Sequence, residues 1–369
     1  MSFYATVERY RDFDFQDFFA RVTPSQVDRA LAADRLTETD FLVLLSPLAA
    51  GHLEAMAQKA HQLTVQYFGR TIQLYIPLYI SNYCANECIY CGFHRGNRIR
   101  RKKLTMAEIE AEARSIAATG MRHLLLLTGE APAVTPIDYL EEAVRLLKRY
   151  FASVSIEIMP MAEEDYRRLK EAGVDGLTLY QEVYDESRYA LVHKAGPKAD
   201  FRWRLDAPER GARAGFRMVN IGVLVGLGEV RREVFLSGLH AKYLEGTFLQ
   251  TEISLSLPRM NPAEGDYRPD FAASDRDFVQ FLTALRCFLP RAGLTISTRE
   301  RAAFRDHLIR LGATRFSAGS CTGVGGYGEQ KADAGSPQFE ITDERSVAEV
   351  VQAIRAAGYQ PVYKDWDMI

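Results

Sequence analysis

The sequence has few features of a membrane-spanning, secreted or nucleic-acid-binding protein. No apolar run approaches the ~20 residues of a membrane span, and the opening stretch MSFYATVERYRDFDF lacks the apolar segment of a secretory signal. The 46 Lys and Arg residues nearly balance the 48 Asp and Glu residues, so the net charge of −2 gives no electrostatic basis for nucleic-acid binding. There are five cysteines, an odd number without a secretory context. We therefore expect a protein of the reducing cytoplasm.

Three of the cysteines lie close together in the segment YISNYCANECIYCGFHRGN. Cys84, Cys88 and Cys91 have the spacing C-x3-C-x2-C. Four thiolates normally saturate an iron–sulfur cluster or a structural zinc ion. Three thiolates would leave one iron of a [4Fe–4S] cluster open to a substrate or cofactor. A Cys3His zinc site that includes His94 is the alternative, although zinc ligands tend to come as two pairs with a longer spacer.

Short β-rich runs alternate with amphipathic helical runs after about residue 70. The predicted strands are Gln73–Ile80, His123–Thr128, Val154–Met159, Gly176–Gln181, Val219–Val225, Thr251–Leu257, Leu294–Thr298 and Thr314–Ser317. Such alternation indicates a parallel sheet with helices outside, and eight repeats allow closure into a (β/α)8 barrel. We therefore predict an α/β, TIM-type barrel over residues 71–345, with a helical extension at 1–70 and a C-terminal helix and tail at 346–369.

A barrel of this type carries its active residues just after its strands, at the C-terminal mouth. The cysteine triplet follows the first predicted strand, and Gly129 and Glu130 follow the second. Glu157 lies on the third strand, where an unpaired carboxylate is costly to bury. We therefore expect Glu157 to face a polar ligand or a cation, with an ion pair to an arginine inside the barrel as the alternative.

The later strands add further candidates. Glu182 follows the fourth strand, and Arg204 in FRWRLD could bind a carboxylate bidentately or be an ordinary helix-surface arginine. Gly226 in NIGVLVGLGE would let the backbone approach a flat ring, although glycine-rich strand ends are common in barrels. Arg299 ends the seventh strand and Ser317 ends the eighth, and together they suit the carboxylate and amine of an amino acid.

The cysteine spacing, with Tyr90 directly before the last cysteine, resembles the signature of the radical S-adenosylmethionine (SAM) enzymes. The resemblance implies a [4Fe–4S] cluster on the three cysteines, SAM on the open iron, and cleavage of SAM to methionine and a 5′-deoxyadenosyl radical. It also implies that SAM is bound by Gly129, Glu130, Glu157, Glu182, Arg204 and Gly226. This sequence departs from the family at Thr128, where a Gly-Gly-Glu type motif has its first glycine.

A narrower resemblance covers almost the whole chain. The segments YIPLYISNYCANECIYCGF, RKKLTMAEIEAEA, HLLLLTGE, LYQEVY, STRE and the terminal KDWD are similar to the 2-iminoacetate synthase family. The resemblance implies a lyase that abstracts hydrogen from the amino group of L-tyrosine and breaks the Cα–Cβ bond. The products would be 2-iminoacetate (dehydroglycine) and p-cresol, and the imine would pass to a thiazole synthase in the biosynthesis of the thiamine thiazole.

Two related lyases must be distinguished from this family. The tyrosine lyase of [FeFe]-hydrogenase maturation has a second, C-terminal cluster motif, whereas Cys287 and Cys321 are isolated here. A tryptophan lyase shares a substrate-binding trio that Tyr79, Arg299 and Ser317 match, so another aromatic amino acid is the alternative substrate. A non-catalytic barrel that binds an iron–sulfur cluster or zinc is the alternative to a lyase. Tyr79 could instead be a packed barrel aromatic, and Arg299 could pair with Glu300 or Asp306.

A basic run follows the cluster loop at Arg95, Arg98 and residues 100–103. Such runs are usually solvated loops. The functional alternative is a docking patch for an acidic, flavodoxin-type electron donor, which a cluster that must be reduced would need.

Overall fold

The computed structural model describes residues 2–328 and 333–364. Its strands are β1 Thr71–Ser81, β2 His123–Thr128, β3 Ser153–Glu157, β4 Gly176–Thr178, β5 Met218–Gly222, β6 Glu252–Ser256, β7 Gly293–Ile296, β8 Arg315–Ser317 and β9 Gln360–Val362. Strands β1 to β8 pair in parallel in chain order, and β8 returns to β1. The predicted (β/α)8 barrel is therefore confirmed, with β4 three residues shorter than its predicted span.

The helices surround this barrel and precede it. They are α1 Tyr4–Arg9, α2 Phe15–Ala20, α3 Pro24–Ala32, α4 Glu38–Leu44, α5 Leu53–Phe68, α6 Met106–Ala118, α7 Ile137–Leu147, α8 Glu163–Ala172, α9 Glu186–Val192, α10 Phe201–Leu205, α11 Ala207–Arg213, α12 Val230–Thr247, α13 Asp275–Phe288, α14 Ala302–Leu308 and α15 Val347–Ala356. Short 3-10 helices lie at Leu48–His52 and Pro197–Ala199.

Side-chain caps determine where several of these helices begin. Thr105, Ser274 and Ser346 each form a capping box with the acidic residue three positions later, at α6, α13 and α15. The single helix that periodicity predicts over Arg202–Ala214 is instead two, α10 and α11, because Pro208 stands in the first turn of α11. Proline lacks the N–H that a continuous helix would need there.

Strand β1 is the longest strand and contacts three others. Its first residues pair with β9, its middle with β8, and its last six residues with β2. The register shifts between Tyr79 and Ser81, which is a β-bulge at Ile80. Bulges re-aim the chain beside functional sites, and this one lies where β1 leads into the cysteine loop. The sequence analysis did not predict strand β9, because a strand of three residues has almost no periodic pattern of apolar side chains.

The N-terminal helices pack on the outside of the barrel. Phe41 of α4 stacks on Phe288 of α13, with ring centroids 4.4 Å apart, and Phe3 stacks on His240 of α12 at 4.3 Å. No single helix in the described part of the chain is long and apolar enough to cross a membrane. The pair Glu38–Leu44 and Leu48–Phe68 meets that requirement only when joined across a 74° bend.

Candidate active site

The three cysteines lie on the loop that follows β1, at the C-terminal mouth of the barrel. All three are free thiols, with Cys88 buried and Cys84 and Cys91 half-buried. They line one cavity together with Gly129 and Glu130 from the end of β2. Burial raises the pKa of the Cys84 thiol to about 11, and it raises the pKa of the other two thiols as well. A cationic metal centre would offset this cost, because metal ligation requires the thiolate.

The zinc alternative receives no support from the geometry. Within residues 2–328 and 333–364, no group of three or more His, Cys, Asp or Glu side chains is arranged to hold a single metal ion. The Nδ1 atom of His94 instead accepts a hydrogen bond from the backbone N–H of Gly96 at 2.8 Å. The irons of a cubane cluster occupy separate corners, so three thiols that hold one need not converge on a single point.

The end of β2 packs directly against the cysteine loop. A Cβ atom on Gly129 would lie 2.3 Å from the carbonyl oxygen of Tyr83 and 3.3 Å from the Cβ of Cys84, so only glycine permits this approach. The backbone N–H of Ala85 donates to the carbonyl of Glu130 at 2.9 Å. The predicted cofactor residues Gly129 and Glu130 thus pack directly against the start of the cysteine loop.

A buried ionic cluster lies on the other side of the same cavity. Arg204 donates to Glu130 at 2.8 Å and lies 3.7 Å from Glu182, which pairs with Lys198 at 2.7 Å. Asn86 donates to the second oxygen of Glu130 at 2.8 Å. Burial opposes ionisation of Glu130, but Arg204 and Lys198 outweigh it and lower the pKa of that carboxyl. The interpretation of Arg204 as a helix-surface arginine is wrong, because its side chain is only 5% exposed.

Glu182 has an unusual backbone conformation. Its φ of 71° makes it the one non-glycine residue with a positive φ among the residues that the structure describes. A left-handed conformation costs an L-residue roughly 1–2 kcal/mol, and such strain concentrates at functional sites. The turn carries the Glu182 carboxylate into the cavity, where it meets both Lys198 and Arg204.

A second cavity of about 110 Å³ adjoins the first, toward β7 and β8. Tyr79, Arg299 and Ser317 all line it, so the structure brings the predicted substrate trio together. Tyr79 and Cys91 line both cavities, as do Glu157 and Glu182. The Tyr79 side chain therefore faces the barrel interior, and its hydroxyl donates to Oε1 of Gln338 at 2.8 Å.

The guanidinium of Arg299 forms neither of the ion pairs that its neighbours in sequence offer. Glu300 pairs with Arg259, and Asp306 pairs with Arg345 at 3.0 Å. Within the described residues Arg299 has no carboxylate within 4.0 Å, although it is deeply buried among carboxylates, aromatic rings and polar groups of the cavity. Burial lowers its pKa from the ordinary value. An arginine in this state can receive a substrate carboxylate.

The structure also shows the surroundings of three other predicted site residues, Glu157, Ser317 and Gly226. In the described part of the chain Glu157 forms no ion pair within 4.0 Å, so the interior ion pair is absent, and burial raises the pKa of its carboxyl to about 7. The Oγ of Ser317 accepts a hydrogen bond from the backbone N–H of Thr298 at 3.0 Å. Gly226 lines neither cavity and lies against Met260, so its predicted role in binding SAM stays a prediction.

Comparison with known proteins agrees with this geometry. Residues 78–235 match the radical SAM superfamily, and residues 256–360 match the Biotin and Thiamin Synthesis associated domain. The chain is 42% identical to 2-iminoacetate synthase of Escherichia coli strain K12, over 98% of this chain and 96% of that protein.

The chain belongs to the 2-iminoacetate synthase family.

Two further relatives support the assignment to the 2-iminoacetate synthase family. The 2-iminoacetate synthase of Salmonella typhimurium strain LT2 is 40% identical over 98% of this chain and 96% of that protein. The solved structure of HydG, a maturase of the [FeFe]-hydrogenase, superposes with a TM-score of 0.86 at 33% identity. That match covers 98% of this chain and 79% of HydG.

A [4Fe–4S] cluster and SAM are the cofactors of this radical SAM enzyme, and the first cavity fits both. Among the described residues, its wall offers three thiols and neither a fourth cysteine nor a histidine. The Oγ1 of Thr128, also in the wall, is buried without a hydrogen-bond partner in the described residues, so a polar ligand would satisfy it. The remaining cysteines, Cys287 and Cys321, lie outside this cavity.

The basic run is largely engaged within the chain. Lys102 pairs with Glu108 at 3.1 Å, and Arg101 donates to the carbonyl of His94 at 2.6 Å. Arg98 is exposed and forms no ion pair in the described residues. The run therefore holds the cluster loop in place and presents only part of its charge to solvent.

Sequence reasoning missed two residues of the site, Lys198 and Gln338. Lys198 lies on the 3-10 helix Pro197–Ala199, buried between Glu182 and the ring of Tyr90. Gln338 reaches both Tyr79 and the cysteine loop from the far end of the chain. A lone lysine on a three-residue 3-10 helix and a lone glutamine in a loop have no spacing that could have marked them. Only the folded chain brings them to the cavities.

Proposed function

We propose that this enzyme cleaves the Cα–Cβ bond of L-tyrosine to 2-iminoacetate and p-cresol, for the biosynthesis of the thiamine thiazole. The observation that carries the proposal is the shared wall of the two cavities. Cys91 on the thiol side and Arg299 on the substrate side both open onto the cavity of about 110 Å³. A reactive species generated at the cluster would therefore meet a bound amino acid without crossing solvent.

We propose that the chain's residues divide the binding work between the two cavities. Cys84, Cys88 and Cys91 would hold the cluster, and the buried Glu130–Arg204 and Glu182–Lys198 pairs would bind the polar groups of SAM. The cluster and SAM together supply a 5′-deoxyadenosyl radical when both are bound. Because the charged residues already pair with one another, little reorganisation is needed when SAM arrives.

On the substrate side, the buried guanidinium of Arg299 would bind the tyrosine carboxylate. Tyr79 and Ser317 would orient the amino group with their hydroxyl oxygens. The aromatic and aliphatic side chains in the wall, among them Leu125, Leu224 and Phe339, would reduce the access of water and so strengthen each of these contacts. Fixing both ends of the glycyl unit leaves the tyrosine side chain as the group that departs when the Cα–Cβ bond breaks.

The partners proposed from the sequence stay proposals. A thiazole synthase would consume the imine, because free imines hydrolyse in water. A flavodoxin-type donor would dock near Arg98, beside the loop that carries Cys88 and Cys91. We place the enzyme in the cytoplasm, where the thiols stay reduced.

The direct test is an anaerobic assay with reconstituted cluster, SAM, dithionite and L-tyrosine. We expect 5′-deoxyadenosine and p-cresol in matching amounts. Cys88→Ala should abolish both products, whereas Cys287→Ala, a cysteine in α13 outside the cavities, should retain them. Deoxyadenosine without p-cresol from tyrosine, but with a product from tryptophan, would assign the other aromatic substrate. Neither product, from protein with an intact cluster and bound SAM, would refute the lyase.

A further inference from the structure

Gln338 occupies the boundary between the two cavities and lines both of them. Its backbone is fixed at both polar groups: its carbonyl accepts from the N–H of Gly92 at 3.2 Å, and its own N–H donates to Thr322 at 3.3 Å. A Cβ on Gly92 would lie 2.4 Å from that carbonyl oxygen. The cysteine loop and the segment around Gln338 therefore pack backbone against backbone next to Cys91, with no room for a side chain at Gly92.

The Gln338 side chain makes two hydrogen bonds in opposite directions. Its Oε1 accepts from the Tyr79 hydroxyl at 2.8 Å, and its Nε2 donates to the Sγ of Cys91 at 3.7 Å, a normal length for a bond to sulfur. A thiolate is only an acceptor, so the amide nitrogen must face it and the amide oxygen must face Tyr79. One amide thus joins a residue of the substrate cavity to a ligand of the cluster.

We propose that Gln338 is a positioning residue that links occupancy of the substrate cavity to the reduction potential of the cluster on Cys91. The proposal rests on the proposed function, in which the Tyr79 hydroxyl contacts the substrate amino group. An amine that donates to the Tyr79 oxygen leaves the hydroxyl hydrogen free to donate to Gln338. The result is a continuous chain of donors from the substrate nitrogen through Tyr79 and Gln338 to the sulfur.

The direction of the effect follows from charge. A hydrogen bond to a cluster sulfur stabilises the more negative, reduced state and raises the reduction potential. Successive hydrogen bonds polarise one another, so a substrate donor at Tyr79 strengthens the N–H···S bond at the other end. The cluster gains one electron from the external reductant and no proton moves. Substrate binding therefore makes that reduction easier, and the radical precursor is consumed mainly when tyrosine is present.

The test is a potentiometric titration of the reconstituted enzyme with titanium(III) citrate, followed by electron paramagnetic resonance. S-adenosylhomocysteine replaces SAM, because it lacks the sulfonium and is not cleaved. Without tyrosine, we expect Gln338→Leu to lower the equilibrium constant for reduction roughly tenfold, or about 59 mV for one electron. Gln338→Glu keeps an acceptor for Tyr79 and loses the donor to Cys91, so it should lower the potential at least as far.

Adding tyrosine should raise the potential of the parent enzyme and leave that of Gln338→Leu unchanged. Tyr79→Phe should also abolish the tyrosine-dependent shift while it keeps the donor to sulfur. Equal potentials for parent and both Gln338 variants, at equal iron content and melting temperature, would overturn the proposal. So would a parent that forms p-cresol yet shows no tyrosine-dependent shift. Suppose instead that the parent forms no p-cresol, yet its cluster has a higher reduction potential than that of Gln338→Leu in the absence of tyrosine. That result would refute the proposed lyase activity and would leave the N–H···S bond supported.

Discussion

Replacing Arg204 by methionine tests the buried ionic cluster. The substitution keeps most of the side-chain volume and removes the charge that neutralises Glu130, at 2.8 Å, in a pair whose side chains are 5% and 11% exposed. Removing one partner of a buried pair costs about 3–5 kcal/mol, because the other charge is left unpaired. The entropy of unfolding is about 2.1 cal/mol/K per residue, so in this 369-residue chain the melting temperature should fall by roughly 4–6 °C.

The assay is thermal unfolding of the cluster-free protein by circular dichroism at one fixed scan rate. Arg202→Met is the matched control, since Arg202 lies on the same helix, is 62% exposed and is 3.9 Å from its carboxylate partner. Exposed pairs of this kind contribute less than about 1 kcal/mol. The double variant Glu130→Gln/Arg204→Met should melt higher than Arg204→Met alone, because no unpaired carboxylate remains. A loss for Arg204→Met no larger than that for Arg202→Met, or strictly additive losses, would refute this reasoning.

Three other substitutions have defined outcomes. Burial raises the pKa of Glu157 to about 7, so its ionisation destabilises the native state as pH rises from about 4.5 through 7. Cluster-free Glu157→Gln should match the parent's melting temperature at about pH 4 and exceed it at about pH 8. Arg299→Lys should raise KM for tyrosine roughly 10- to 100-fold, the value of a charge-assisted hydrogen bond, while Arg301→Lys on the surface leaves KM unchanged in the same steady-state assay. Gly92→Ala should destabilise the protein by about 1–3 kcal/mol through overpacking, measured by urea unfolding, whereas Gly51→Ala, with nothing within 4 Å of the added carbon, should not.

The sequence allowed the barrel and the thiol side of the site to be predicted because both depend on local patterns. Eight apolar runs, each followed by an amphipathic run, set the order of strands, and the rule that chemistry follows the strands placed Glu130, Glu182 and Arg299. The Cys84 to Cys91 spacing is readable within eight residues of chain. These patterns can be recognised in the sequence without knowing which loops contact one another in the folded chain.

The residues that were missed, or whose alternatives stayed open, depend on contacts between distant segments. Lys198 belongs to the site only because Glu182, which has a left-handed backbone conformation, forms an ion pair with it at 2.7 Å. Gln338 matters because the chain returns to the mouth of the barrel after β8. Arg204 was predicted to bind SAM, but the alternative of a surface arginine stayed open because α10 has five residues, too few to show which face is buried. Packing, rather than periodicity, determines each of these positions.

The position of Gln338 also affects how the enzyme is made. Cys91 precedes Gln338 by 247 residues, and ribosomes add about 5–20 residues per second. The cysteine loop therefore leaves the ribosome roughly 12–50 seconds before the segment that covers it. During that interval the thiols are open to iron–sulfur delivery and equally open to oxidation. Cluster insertion therefore competes with closure of the site while each chain is synthesised. Slowing synthesis before residue 338 should increase the fraction of chains that fold with a cluster bound.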